Sequence, residues 1–200
     1  EAIAHKVTFL SPEMFRISLT DILEDVAPIS LLHEVLSPKG FNASQIRDIY
    51  RSLSSSQSGK RFFTNEWEVL RDREYLWIQK KGSSQLIPEL IIEEIERTPS
   101  FVIPRDKHIA CLDADQLIHP LTIRKWGKGD KFVPLGMNGK KKVSDYLTDK
   151  KFSLFQKENQ YVVCSGEDIV WLVNERTDHR YRITDSTQRV LLIKIKKDGQ

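Results

Sequence analysis

Apolar residues recur along this chain at two different spacings, and the spacing changes part-way. Between Ser30 and Leu53 the interval is helical. Leu31, Leu32, Val35 and Leu36 form one apolar stripe, started at Pro28 or Ser30 and ended by Pro38-Lys39-Gly40. Ile46, Ile49, Tyr50 and Leu53 stand at i, i+3, i+4 and i+7, a single helix face, with Asn42 or Ser44 in position to cap it. The serine-rich stretch Ser54–Gly59 breaks the pattern. Beyond it the period shortens. Lys60–Thr64, Glu66–Arg71 and Tyr75–Gln79 read as short strands, with turns at Thr64-Asn65 and Asp72-Arg73. Lys80–Pro88 is a polar connection, and Leu90–Glu96 fits either a strand or a helix. Ser100–Pro104 and Ile109–Leu112 read as extended, because Pro99, Pro104 and Pro120 argue against long helices there. From Leu121 onward strands dominate. Leu121–Trp126, Tyr161–Cys164, Ile169–Val173, Arg180–Ile183 and Arg189–Ile195 are rich in β-branched and aromatic residues. One helix is expected from about Lys141 to Lys150, with Val143, Tyr146 and Leu147 as its apolar face.

This order of elements predicts an α+β protein: a small helical/β domain over residues 1–104 with a connecting segment, then a compact β-rich domain with one short helix over 105–200. The boundary is placed near Pro104. Charge supports two parts with different partners. From Leu121 to the end there are 17 basic and 10 acidic residues, against 14 and 18 before it. A chain of 200 residues can bury a sizeable core. No apolar run reaches membrane-spanning length and no secretory segment opens the chain, so no membrane partner is expected. Cys111 and Cys164 lie far apart without metal-type spacing and read as buried free thiols in a reducing cytoplasm. The chain starts at Glu1 rather than Met and reads as a piece of something larger.

Chemistry concentrates in Arg124–Lys142, RKWGKGDKFVPLGMNGKKK. Seven basic residues (Arg124, Lys125, Lys128, Lys131, Lys140, Lys141, Lys142) share these 19 positions with one acid, Asp130, and four of the chain's nine glycines. Clustered cations beside glycine turns suit a polyanion, and nucleic acid is the obvious one. Lys140, Lys141 and Lys142 fall at the expected start of the helix, where cations oppose the macrodipole and free N–H groups favour phosphate. The alternative is a solvated lysine run that touches nothing. Trp126 is either a stacking surface for a base or a cover for the rim of the β core. Asp130 either orients Arg124 or bonds its own backbone in an Asx turn. Arg176, Arg180 and Arg182 would extend a phosphate track if Arg180 and Arg182 share a strand face. Otherwise Asp178 and Asp185 neutralise a solvent face.

Two other constellations fail. His108, Cys111, Asp113, Asp115 and His119 do not converge as a metal set on an extended strand, so no metal is expected. Ser58-Gly59-Lys60-Arg61 lacks the upstream glycine and the hydroxyl of a phosphate loop. No catalytic arrangement stands out elsewhere, and no catalytic residue is assigned.

The segment Leu112–Leu147 resembles the C-terminal domain of the bacterial tRNA(Ile)-lysidine synthetase family. That family shows an LDAD-type strand, P-L-x-[IV]-R, a Gly-Asp-x-[FL]-x-P-x-Gly-Met loop and a lysine-rich helix start. Leu112–Asp115, Pro120–Arg124, Gly129–Asp130, Phe132, Pro134, Gly136–Met137 and Lys141–Lys142 match. Ile169–Val173 fits a hydrophobic family strand, and Ser56–Phe63 resembles the family's middle domain.

The resemblance implies a middle, tRNA-binding domain followed by a C-terminal domain similar to a module of the phenylalanyl-tRNA synthetase β subunit. It implies a ligase that uses ATP with Mg to join free lysine to the wobble cytidine of isoleucine tRNA, in the cytoplasm. Such enzymes are commonly homodimers, with no interface legible in this sequence. Their ATP site is a Ser-Gly-Gly-x-Asp-Ser loop that this chain lacks, so the piece is expected to bind tRNA without catalysing and to hold no cofactor. The implied phosphate contacts are Arg124, Lys125, Lys128, Lys131 and Lys140–Lys142, then Arg176, Arg180 and Arg182. One departure stands out. Where many members carry Ile-Pro-Pro-x-x-Arg, this chain has Phe152–Lys157, with Lys157 at the arginine position. A general RNA-binding β module and a protein-interaction domain using the acidic half are the competing readings.

Overall fold

A computed structural model describes residues 6–55, 58–82 and 87–196. Residues 56–57 of the expected Ser54–Gly59 loop and 83–86 of the expected Lys80–Pro88 connection lie outside the described residues. The chain divides into two units: Glu1–Leu86 with Ser153–Phe155, and Ile87–Phe152 with Gln156–Gln200. The division falls at Leu86/Ile87 rather than near Pro104. Leu90–Glu96 pairs along its whole length with the last strand of the second unit, which draws the segment from Ile87 onward to Pro104 into that unit.

The first unit opens with two strands that the apolar pattern did not show, β1 (Val7–Ser11) and β2 (Met14–Ser18). Three helices follow: α1 (Leu19–Leu23), α2 (Pro28–Leu36) and α3 (Ala43–Leu53). Helix α3 starts with a capping box. The Asn42 side chain accepts from Gln45 N–H (2.9 Å), and the Gln45 side chain accepts from Asn42 N–H (3.0 Å). Its face Ile46, Ile49 and Leu53 is buried, as the spacing requires. Strands β3 (Lys60–Phe63), β4 (Trp67–Asp72) and β5 (Tyr75–Lys80) complete an antiparallel sheet of order β1-β2-β5-β4-β3. Side chains alternate across it. Phe15, Ile17, Val69, Leu76 and Ile78 join the helices in one core, while Leu70 and Trp77 pack with Phe155.

The second unit is mostly β. Strands β6 (Leu90–Glu96) and β7 (Ala110–Asp113) flank the last strand, β14 (Arg189–Ile195), so Leu90–Glu96 is a strand. β8 (Leu121–Lys125) pairs with β11 (Tyr161–Ser165), β11 with β12 (Asp168–Leu172), and β12 with the short β13 (Arg176–Thr177). A two-stranded ribbon joins β9 (Lys131–Phe132) to β10 (Lys141–Lys142). Helix α4 (Val143–Asp149) follows directly, and a second short helix, α5 (Leu154–Glu158), appears where only one was expected. The four-stranded sheet is buried on both faces. Val163, Val170 and Trp171 pack with Ala110, Leu112, Leu191 and Ile193. Val162, Cys164, Ile169 and Leu172 pack with Phe132, Val143, Tyr146 and Leu147. The expected strand Arg180–Ile183 is absent. A turn of 3-10 helix at His179–Tyr181 replaces it.

Candidate nucleic-acid interface

The Arg124–Lys142 stretch is built from two glycine turns and the β9/β10 ribbon. In the first turn Asp130 N–H donates to Gly127 O (3.2 Å), with Gly129 at φ +97°. In the second Met137 N–H donates to Pro134 O (2.8 Å), with Gly136 at φ +88°. Both place glycine at the third position, where this turn type requires positive φ. The second turn is pinned from both sides. Leu135 N–H donates to Thr177 O (2.9 Å), Gly136 N–H to His179 Nδ1 (3.1 Å), and His179 N–H to Val133 O (2.6 Å).

In the ribbon, Lys141 stands opposite Phe132 and Lys142 opposite Lys131. Directly opposed residues share a face. On one face Phe132 is buried and Lys141 half-buried, its Nζ 2.6 Å from Asp149 Oδ2. The other face presents Lys131 and Lys142, both exposed. Lys140 and Lys128 are exposed beside them. None of these four lysines forms an ion pair among the described residues.

The helix-start reading of Lys140–Lys142 needs correction. Lys141 and Lys142 belong to the ribbon, and α4 begins only at Val143. The Val143 N–H is already taken by Asp130 O (2.9 Å), which extends the ribbon ladder, and a seven-residue helix offers no N-terminal anion site of its own. The three lysines therefore do not act together. Lys140 and Lys142 face solvent, while Lys141 is tied to its own helix.

Arg124 is also committed. Its Nη1 and Nη2 donate to Asp130 Oδ2 (2.7 Å) and Oδ1 (3.0 Å), and Nη1 donates to Lys125 O as well (3.1 Å). Asp130 accepts from Gly127 N–H in addition (2.8 Å), so it orients Arg124 and closes the turn at once. The hydrogen bonds to Asp130 hold the Arg124 guanidinium above its ordinary pKa. Trp126 is half-buried against the α4 core, and its indole N–H donates to Lys157 O. It covers the core rim rather than offering a free stacking face. Lys125 is exposed with its Nζ 5.9 Å from the Tyr161 ring. Lys157, at the position of the expected arginine, donates to Thr148 Oγ1 (2.8 Å).

Arg180 and Arg182 do not share a strand face. Asp178 accepts from Arg180 N–H (2.8 Å), which bends the chain into a 3-10 turn. The Arg180 guanidinium turns inward onto Asp178 and Asp168. Hydrogen bonds, first from Asp178, raise its pKa above the ordinary value. Arg182 is exposed and donates to His179 O (2.9 Å). Arg176 is exposed on β13 without a side-chain partner among the described residues.

Asp178 was not foreseen as a key residue, although an acid two residues before an arginine is an Asx-turn signal. It is fully buried and accepts from Val133 N–H (2.8 Å), so it fixes the Val133–Met137 loop. Asp168 bridges Arg180 (2.9 Å) and the Tyr181 hydroxyl (3.0 Å). Ser58 does not belong to a phosphate loop, because its Oγ donates to Asp72 Oδ1. Among the described residues no three His, Cys, Asp or Glu side chains gather to hold a metal, and no helix is long and apolar enough to cross a membrane. Cys111 and Cys164 are free thiols.

Residues 11–81 match the family model of the TilS substrate binding domain. A tRNA(Ile)-lysidine synthase of Bacteroides thetaiotaomicron is 50% identical over 193 residues, covering 95% of this chain and 45% of that protein. This chain is homologous to the tRNA(Ile)-lysidine synthases. The synthase of Parabacteroides distasonis is 41% identical over 192 residues, covering 89% of this chain and 44% of that protein. The chain thus spans less than half the length of these lysidine synthases. The crystal structure of a TILS C-terminal domain aligns at 19% identity with a TM-score of 0.48, covering 56% of this chain and 85% of that one.

Proposed function

We propose that this chain is the tRNA-recognition portion of a tRNA(Ile)-lysidine synthase, and that the second unit grips the sugar-phosphate backbone of isoleucine tRNA. The observation that carries the reading is the exposed face of the β9/β10 ribbon. Lys131 and Lys142 stand directly opposite each other there, and like charges so placed destabilise a ribbon. Stability alone would favour an acid at one of the two positions. A polyanion bound across the face turns the repulsion into attraction.

The contacts are Lys128, Lys131, Lys140 and Lys142, with Lys125, Arg176 and Arg182 at the margin. Arg124, Lys141 and Arg180 serve the site by fixing its loops. Phosphate contacts of this kind position the RNA without reading its sequence. The full-length protein acts as a ligase in the cytoplasm, joining free lysine to the wobble cytidine with ATP and Mg held elsewhere in that protein. This chain supplies no catalytic residue, and a homodimer of the whole enzyme belongs to the same proposal. A general RNA-binding module without a modification role is disfavoured by the synthase name of the relatives. Replacing Lys131 and Lys142 together by Ala tests the reading. Affinity for isoleucine tRNA should fall about tenfold or more with the melting temperature equal or slightly higher, since the repulsion across the ribbon is relieved; unchanged affinity would remove the ribbon from the site.

A further inference from the structure

A cleft of about 350 Å³ opens in the second unit between the Ile103–Ile109 segment and β13. Ile103, Ile109 and Leu135 give it apolar walls, and Trp171 and Cys111 reach its floor. Burial pushes the Cys111 thiol up to about 11, so the floor carries no charge. Every charged group around the cleft can be placed. Lys107 Nζ lies 2.9 Å from Glu175 Oε1, and the pair is neutral. Asp106 accepts from His108 N–H (2.9 Å) in a tight turn. Arg105 and Arg176 are exposed and have no side-chain partner among the described residues. The Leu135 wall is held in place, because its loop is hydrogen-bonded to Thr177 and His179.

A small slot with apolar walls and a polar rim, edged by two unpaired guanidinium groups, suits a flat ring that carries a phosphate. The volume sits at the low end for ligand sites, which limits the occupant to one ring system. Arginine offers phosphate a planar fork and can stack on a base. Bases inside a duplex are not free to enter such a slot, whereas unpaired ones can be splayed out. We propose that this cleft holds one unpaired nucleotide of the bound RNA, its base against Ile103, Ile109 and Leu135 and its phosphate on Arg105 and Arg176. The assignment rests on the tRNA reading and adds a contact that depends on RNA structure rather than on phosphate charge alone.

Three short RNA duplexes of identical stem test it: blunt, with unpaired 3′ nucleotides, and with one bulged nucleotide. Binding is followed by fluorescence anisotropy. At least one RNA with unpaired nucleotides should bind about tenfold more tightly than the blunt duplex, the scale of one stacked base. Arg105→Ala, and separately Leu135→Glu, should abolish that preference and leave blunt-duplex affinity within about twofold. Lys131→Ala/Lys142→Ala should weaken all three alike and keep the preference. Equal binding of the three RNAs by the unaltered chain, or a preference that survives both cleft variants, overturns the cleft assignment and leaves the ribbon untouched. Failure of the unaltered chain to bind any of the three overturns the RNA reading itself.

Discussion

Replacing Asp178 by Ala should be among the most damaging single changes in the second unit. Its carboxylate has 0% exposure and accepts four hydrogen bonds: from Val133 N–H (2.8 Å), from Arg180 N–H (2.8 Å), and from Arg180 Nε and Nη2 (both 3.0 Å). Removing one partner of a buried ion pair costs about 3–5 kcal/mol, because the other charge is left uncompensated. The Arg180 guanidinium keeps Asp168 (2.9 Å) and its side chain is 33% exposed, so its charge is only partly uncompensated and the cost lies near the lower bound. Val133, at 7% exposure, has no such relief, and its orphaned N–H adds about 1 kcal/mol or more. The expected loss is therefore about 3–4 kcal/mol. For a unit of this size that shifts its melting transition down by about 12 °C or more. Denaturant unfolding followed by tryptophan fluorescence reads it, since Trp171 and Trp126 both lie in this unit. Asp178→Ala/Arg180→Ala should cost no more than Asp178→Ala alone, because the double change leaves no guanidinium facing the emptied site, and Asp168, 46% exposed, keeps water and the Tyr181 hydroxyl (3.0 Å). A single-variant loss under about 1 kcal/mol, or a double variant costing the sum of the two singles, would refute the reasoning.

Two further outcomes follow from the same geometry. Asn42→Ala removes the capping box of α3 and should destabilise the first unit by about 1 kcal/mol, read as a lower denaturation midpoint with an unchanged slope. Acid should act on the second unit through Asp130 and Asp168. Burial alone would lift both carboxyls, but Arg124 and the Gly127 N–H at Asp130, and Arg180 and Tyr181 at Asp168, outweigh it and hold both below the ordinary value of 3.8. A depressed folded value means their contribution is present above pH 3.8 and is lost as pH falls through the folded values. Urea midpoints should therefore drop steeply below about pH 4, and a midpoint steady down to about pH 2 would contradict this.

What the sequence made legible follows the length and regularity of each signal. Helix α3 was readable because Ile46, Ile49, Tyr50 and Leu53 repeat over two turns behind a capping asparagine. The β3–β5 meander and β8, β11, β12 and β14 were readable because each carries enough β-branched and aromatic residues to show. The β9/β10 ribbon was not, since two-residue strands have no period to detect. In the sequence Lys141 and Lys142 are therefore indistinguishable from a helix start. Arg180–Ile183 has strand-forming composition, yet Asp178 captures the Arg180 backbone N–H and turns the chain away. The pairing of Leu90–Glu96 with β14 joins segments about a hundred residues apart, and no local pattern announces it. At the site, the Arg124–Asp130 pair was among the readings the sequence offered. The sorting of the ten candidate cations into solvent-facing and committed ones depended on partners such as Asp149, Asp168 and Asp178, which only the fold brings near.

The salt dependence of tRNA binding tests the ribbon most directly. Each phosphate contact adds close to one unit to the slope of log affinity against log salt. The slope measured with isoleucine tRNA should become shallower by about two when Lys131 and Lys142 are both changed to Ala. Identical slopes for the altered and unaltered chains would mean that neither lysine touches phosphate, and the proposed interface would have to be given up.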